Sequence, residues 1–280
     1  MNTALLLGAL FIAQSSTAAK DTIVLKPALH QTTPSAQQAP SAPAAPRPSR
    51  RDWYFEWGYN TENYARPDIR FRQADLGNDF TLANVYLHDS KAWDIWNHPI
   101  SVPQYSWRIG KFFRDNTAIE FNFDHAKALL EPGQTLTMTG TFAGVPVNQQ
   151  VAVDNVVQVY KLNNGANFAL VNLVQRYTLW GTPGRTGHIS ILAKAGLGFM
   201  LPHTENIVAG LPNEAGFQYG GLGAGIEGTL RAHVYKTIFV AVAQKGFYGH
   251  YRNLHIAGGR ADHDLWAYVT VISFGTTFHF

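Results

Sequence analysis

Apolar and aromatic residues occupy every second position over most of the C-terminal stretch of the chain. This series comprises Trp266, Tyr268, Thr270, Ile272, Phe274, Thr276, Phe278 and Phe280, and the alternate positions of the lower half, Ser273, Gly275, Thr277 and His279, are small or polar. A period of two predicts a β-strand with two unlike faces, and an ordinary globular strand has only about five or six residues. A tilted strand that crosses a bilayer needs roughly the observed length. We therefore predict that the aromatic face contacts lipid and that the other face lines a tightly filled interior.

The same alternation recurs along the chain from Trp53 onward. The strand-like runs lie at 52–64, 103–113, 117–127, 166–180, 187–201, 217–231, 237–251 and 264–280. Short turns after the second, fourth and sixth runs alternate with long connections at 65–102, 128–165, 202–216 and 252–263. Short turns on one side and long loops on the other are typical of outer-membrane barrels whose termini are periplasmic.

These runs predict an all-β, antiparallel transmembrane β-barrel of eight strands with long extracellular loops. Two further segments, 80–88 and 151–160, also have strand character. In the eight-strand register both fall in extracellular loops as extensions above the membrane, and a ten-strand barrel is the alternative.

Charged residues are predicted to point into this barrel. If Trp53, Phe55, Trp57 and Tyr59 face lipid, Glu56 and Asn60 face inward, and the same step of two in the other strands points Asn122 and a set of charged residues inward. With Glu56, this predicted lumen network is Arg108, Glu120, Asp124, Arg176, Lys194, Glu227, Arg231 and Lys245. An eight-stranded barrel is only wide enough for side chains to fill it, so acids and bases in nearly equal number should pair there. Arg108 and Glu120 are expected to face each other across neighbouring strands.

Two glutamines interrupt the predicted lipid face. Gln175 and Gln244 would point toward lipid in a strict alternation, so a β-bulge is expected in each of their strands.

The N-terminal part of the chain differs in composition from the rest. Residues 1–19 contain the apolar run "ALLLGALFIA" followed by small residues, which predicts a signal peptide. Residues 20–51 become rich in Pro, Ala, Ser and Gln without periodicity, which predicts an extended periplasmic linker. The chain has no cysteine, which excludes a disulfide framework and a lipidated cysteine. Residues 52–280 are then the barrel.

The last residues also fit an assembly signal. Ser273, Gly275, Phe278 and Phe280 have the spacing polar-x-Gly-x-x-apolar-x-apolar with an aromatic end. This motif resembles the C-terminal signal read by the barrel-assembly machinery, which is therefore an expected partner.

The stretch "SWRIGKFFRDNTAIEFNFDH" combines an inward Arg, a glycine, aromatic residues at the membrane edge and a tight polar turn. With the C-terminal motif, it resembles the small eight-stranded outer-membrane proteins of the OmpA membrane-domain and OmpW type over about residues 52–280. The resemblance implies residence in a bacterial outer membrane among phospholipid and lipopolysaccharide. Members of this class are structural anchors, adhesins or conduits for small solutes, so the resemblance implies an architecture and leaves the function open.

Three functions follow from these patterns. The first is a structural or surface-interaction barrel whose long loops meet an external ligand, and the second is an OmpW-like conduit for small apolar solutes. The third is an enzyme that modifies lipid A in the outer leaflet, for which the candidate residues are His88 beside Asp89, His125 beside Asp124, and the rim serines Ser90 and Ser101. No diagnostic motif surrounds these residues, so the sequence predicts no catalytic residue, no metal site and no cofactor. The basic residues form no stripe, and no nucleic-acid partner is predicted.

Overall fold

The computed structural model describes residues 52–90, 104–163 and 165–278. The predicted signal peptide at 1–19, the predicted linker at 20–51, and Phe280 lie outside the described residues. The described chain is an antiparallel sheet of 17 strands with two single-turn 3-10 segments, Ala74–Leu76 and Val153–Asn155, so the prediction of an all-β antiparallel fold is confirmed. The described residues contain no helix that is long and apolar enough to cross a membrane.

Eight strands pair in a closed ring within the described residues. They are β1 (Trp53–Tyr64), β5 (Tyr105–Arg114), β6 (Thr117–His125), β11 (Phe168–Trp180), β12 (Ile189–Met200), β15 (Gly221–Tyr235), β16 (Ile238–Ile256) and β17 (Gly259–Phe278). Each pairs with the next in this order, and β17 pairs with β1 over the whole of β1, from Trp53 opposite Phe278 to Tyr64 opposite Ala267. Closure leaves no free sheet edge around the ring.

The remaining strands extend one end of the ring. They are β2 (Ile69–Gln73), β3 (Asn78–Leu82), β4 (Leu87–His88), β7 (Ala128–Leu130), β8 (Thr135–Phe142), β9 (Val145–Ala152), β10 (Val157–Leu162), β13 (His203–Val208) and β14 (Leu211–Phe217). One series continues from β17 through β2, β3 and β8 to β9, and another runs from β1 through β4, β7, β10 and β13 to β14. We refer to these nine strands as the extension sheets.

The extension sheets occupy most of what the sequence pattern assigned to loops. The strand-like segments 80–88 and 151–160 overlap β3, β4, β9 and β10, and none of these belongs to the ring. The prediction of a long loop at 252–263 is wrong. Strands β16 and β17 continue to Ile256 and Gly259 and are joined by a two-residue turn whose second member, Gly258, has a φ of 66°, which favours glycine.

The interior contains two apolar regions. The larger one packs the inner faces of the extension sheets onto the upper ring, where Phe168 and Phe247 stack with ring centroids 3.9 Å apart. The smaller one, at the other end of the ring, is formed by Tyr54, Phe112, Ala118, Val174, Leu192 and Phe239. Glycines make room for the stacked rings, because a Cβ atom on Gly223 would approach Phe247 to 2.6 Å.

The two glutamines on the outer face need no bulge at their own positions. Gln175 and Gln244 keep the regular register and point outward, and the register shifts of their strands lie at Thr178/Trp180 and Tyr251/Leu254. Each glutamine instead has a hydrogen bond to a threonine of the neighbouring strand, at 3.1 Å in both cases. Each of the two strands therefore contains the expected irregularity, but it does not lie at the glutamine, where a cross-strand polar pair satisfies the amide oxygen.

Candidate functional site: the charged centre of the ring

The charged residues predicted to point inward lie inside the ring. Glu56, Arg108, Glu120, Asp124, Arg176, Lys194, Glu227, Arg231 and Lys245 are all buried, and so are Asn60 and Asn122. Their position follows from the alternation of the strands, which sends the sequence neighbours of each charged residue to the opposite face. They lie between the two apolar regions of the interior.

Arg108 is the hub of this cluster. Its guanidinium group donates to Glu227 at 2.9 Å and to Glu56 at 3.3 Å, and it lies 3.9 Å from Glu120. The expected pairing of Arg108 with Glu120 is therefore the longest of its three contacts, because the strand register places Arg108 opposite Asn122 and Glu120 opposite Gly110.

The three other bases of the cluster also contact carboxylates. Lys194 contacts both Glu120 and Glu227 at 2.9 Å, and Arg231 donates to Glu56 at 2.7 Å. Lys245 is bonded to Asp124 and lies 3.6 Å from Glu227. Four acids and four bases thus form one connected network, and a buried charge in such a network is tolerated because each has a partner of opposite sign.

Arg176 is the predicted lumen residue that the structure leaves out of this network. Its guanidinium group donates to the backbone carbonyl of Asp115 and, at 3.4 Å, to the side chain of Asn116. It also lies 4.3 Å from the centre of the Phe112 ring, in cation–π geometry. Arg176 therefore packs over the smaller apolar region instead of balancing a carboxylate.

Hydroxyl groups that the sequence analysis did not assign to the lumen complete the network. Tyr54 and Ser273 each donate to a carboxylate at 2.6 Å, Tyr54 to Glu120 and Ser273 to Glu56. Thr229 donates to Glu227 at 2.7 Å, and Ser106 donates to Asp124 at 2.5 Å. The period of two in a strand could have identified three of them from the sequence. Tyr54, Ser106 and Thr229 each lie two residues from a charged member of the network and therefore on the same face.

Glu62 lies on the same inward face of β1 as Glu56, six residues further along, and the sequence analysis missed it. Its side chain is buried at the upper end of β1 and accepts hydrogen bonds from Asn60, at 2.7 Å, and from Gln104. Glu62 has amide partners instead of a base, so this part of the lumen is held by neutral donors.

The residues of the predicted assembly motif have different environments. Ser273 belongs to the network, whereas Gly275 lies against the ring of Phe239, with which an added Cβ would clash. Phe278 pairs with Trp53 in the sheet. Recognition of the motif by an assembly factor stays a prediction.

The two candidate histidines do not pair with the carboxylates beside them in sequence, although His88 Nε2 lies 3.4 Å from the Glu131 carboxylate. His88 contacts the backbone carbonyl of Asp89 at 2.7 Å, and the Asp89 carboxylate instead accepts from Thr61 at 2.5 Å. His125 is bonded to Asn167 at 2.8 Å, and Ser90 donates to Gln104. Ser101 lies outside the described residues. The nucleophile and base that a hydrolase requires are therefore not brought together at these positions.

The described residues hold no group of three or more His, Cys, Asp or Glu side chains with the geometry of a metal site. The acids of the lumen network instead contact Arg and Lys side chains.

Comparisons with known proteins give similar structures but no matching family. No family model matches the chain, and no curated protein matches it. Among solved structures, the outer membrane protein OprG from Pseudomonas aeruginosa is 12% identical with a TM-score of 0.43, covering 82% of this chain and 97% of OprG. The outer membrane protein AlkL is 11% identical with a TM-score of 0.40, covering 87% of this chain and 97% of AlkL. Ail from Yersinia pestis is 9% identical with a TM-score of 0.38, covering 82% of this chain and 100% of Ail. Similarity at this level does not bear on activity.

Proposed function

We propose that the chain is an integral protein of a bacterial outer membrane, in which the eight strands of the ring span the bilayer. Each ring strand has at least nine residues, which matches the roughly 9–11 residues of a tilted membrane-spanning strand. The outer face of the ring supports this assignment. Leu197 is 73% exposed, Ile226 69% and Phe274 57%, as expected for side chains that contact lipid instead of water.

The charged network is the observation that carries the functional proposal. Arg108, Glu56 and Glu120 have no exposed surface, and apolar side chains pack on both sides of them. A water-filled path needs exposed polar groups, whereas these charges neutralise each other in pairs. We therefore assign the barrel a structural or surface-interaction role and not the transport of solutes.

The extension sheets are the proposed interaction region. They continue the ring on the side opposite the tight turn between β5 and β6, which corresponds to the extracellular side if both ends of the barrel domain are periplasmic. Strands β9 and β14 each pair on one side only among the described residues, so they present backbone groups to an external ligand.

Two measurements on purified, refolded protein test this proposal. The folded protein should migrate differently from the heated protein in gel electrophoresis, as expected for a stable barrel, and it should show little conductance in planar bilayers. A large, steady conductance would refute the filled lumen and favour the conduit, whereas absence of a heat-modifiable form would refute the membrane barrel. Lipid A mass spectra from cells with and without the protein test the enzymatic alternative, and a changed acylation pattern would favour it.

A further inference from the structure

Strand β9 is an edge of the extension sheets and pairs with β8 alone among the described residues. A two-residue turn joins the two strands, so Phe142 and Val145 form the first hydrogen-bonded pair. Such pairs recur at every second residue, and the bond from the Val153 N–H to the Gln134 carbonyl, at 2.8 Å, fits this alternation. The odd-numbered residues of β9 therefore bond to β8, and the backbone groups of the even-numbered residues point away from the sheet.

The free edge of β9 carries a regular row of backbone donors and acceptors. Asn148, Gln150 and Ala152 each present an N–H and a C=O there, and Pro146 presents only a C=O. These residues repeat about every 7 Å, which is twice the rise per residue of a strand. Another polypeptide strand has the same repeat of donors and acceptors, whereas a glycan or a lipid does not.

This edge lacks the features that usually prevent pairing, which are charged side chains, bulges and short length. Strand β9 has eight residues, no charged residue and no register shift against β8. The free edge at β14 differs, because its pairing with β13 contains a register shift and its Asn213 side chain donates to the His255 carbonyl of β16 at 3.4 Å. Of these two edges, β9 is therefore the one that is open to a further strand.

The side chains of β9 indicate the chemistry of that further strand. Val147 and Val151 are half-buried against the apolar interior of the extension sheets, and Val145, on the same face, is 59% exposed. The opposite face is polar, and there the Gln150 amide donates to the Thr137 hydroxyl at 2.6 Å. Neighbouring strands align their side chains on common faces, so a strand added here would place every second side chain beside the valines. Apolar residues at alternate positions would cover them.

We propose that β9 binds an extended segment of another protein, which adds to the extension sheets as one more strand of alternating apolar and polar residues. On the extracellular side assigned above, this segment belongs to a protein outside the cell. The inference rests on the proposed function, since it names the kind of ligand that the extension sheets would meet.

Amide hydrogen exchange, followed by NMR of the refolded protein in detergent micelles, tests the proposal. The probe is a synthetic peptide of alternating valine and threonine, as long as β9 and with a lysine at each end for solubility. The amides of Asn148, Gln150 and Ala152 should exchange rapidly in the free protein and become protected when the peptide binds. Those of Gln149 and Val151, which bond to β8, should be protected in both states. A peptide of the same sequence with alternate backbone nitrogens methylated should give no protection.

A substitution in β9 tests the role of the outward N–H groups. Asn148→Pro removes one of them without removing a bond to β8, and proline is tolerated on the free side of an edge strand. It should weaken peptide binding by roughly ten-fold, the effect of one lost hydrogen bond. Asn148→Thr keeps the N–H, is the matched control and should bind as the wild type does. Continued protection of the Gln149 and Val151 amides shows that β9 remains folded in each variant.

Absence of peptide-dependent protection at the three outward amides, or wild-type binding by Asn148→Pro, would overturn the proposal. Protection that appears without peptide and increases with protein concentration would also overturn it, because the edge would then pair with a second copy of the chain. Heat-modifiable migration and conductance are measured on the same samples. A folded, non-conducting barrel without peptide-dependent protection refutes strand addition alone and leaves the proposed membrane barrel standing.

Discussion

Replacing Arg108 with methionine is expected to destabilise the barrel strongly. Arg108 has no exposed surface and contacts three carboxylates. Its removal leaves four acids and three bases in the network, so one buried negative charge has no partner. Breaking a buried pair in this way typically costs about 3–5 kcal/mol. Methionine keeps much of the side-chain length, so the expected loss comes from charge and not from a cavity.

The geometry also predicts which second substitution restores stability. With Arg108 and Glu227 both changed to methionine, three one-to-one pairs remain: Glu56 with Arg231, Glu120 with Lys194, and Asp124 with Lys245. We expect this double variant to recover much of the lost free energy of unfolding. The double change of Arg108 and Glu120 should recover less, because their separation is 3.9 Å and because Tyr54 and Asn172 would lose the acceptor they share.

The measurement is the free energy of unfolding in urea, with the protein in lipid vesicles and folding followed by tryptophan fluorescence and gel mobility. A double-mutant cycle gives the coupling energy between each pair. Arg185→Met in an exposed turn is the control, and it should change stability by no more than about 0.5 kcal/mol. Two results would refute the charged network as the cause of stability. One is additive effects of the Arg108 and Glu227 substitutions, and the other is a loss of unfolding free energy below about 1 kcal/mol for Arg108→Met alone.

Three further predictions concern topology, pH and assembly. A tag inserted after Gly258 should be accessible from outside intact cells and one at Asn116 should not, and the reversed pattern would invert the proposed orientation. Burial, followed by the nearby arginines, lowers the pKa of His188 from 6.5 to about 4, and its Nδ1 lies 3.3 Å from that of His233. The folded state therefore holds His188 neutral, so stability is fully present above pH 6.5 and falls as the pH decreases toward 4. His188→Gln should flatten this dependence in urea unfolding measured at several pH values, and an unchanged slope would argue against it. Deletion of Phe280 should reduce the amount of heat-modifiable protein in the outer membrane, whereas normal levels would argue against the C-terminal assembly signal.

The period of two in the sequence was sufficient to identify most ring strands and the direction of their side chains. Glu56 and Arg108 could be placed inside because their neighbours in sequence are aromatic or aliphatic, and a strand sends neighbours to opposite faces. The alternation was less useful above the ring. At 252–263 the outward residues Arg252, Arg260 and Asp262 are polar, which resembles a loop, whereas the inward Leu254, Ile256 and Ala261 still alternate.

Only the tertiary structure decided which charges meet. Arg108 and Glu227 are 119 residues apart, and Lys194 and Glu120 are 74 apart, so no local pattern relates them. Their contacts depend on the order of the strands around the ring and on the stagger of each pairing, which together set the height of every inward side chain. The sequence determines the residue at each position but not which strands become neighbours.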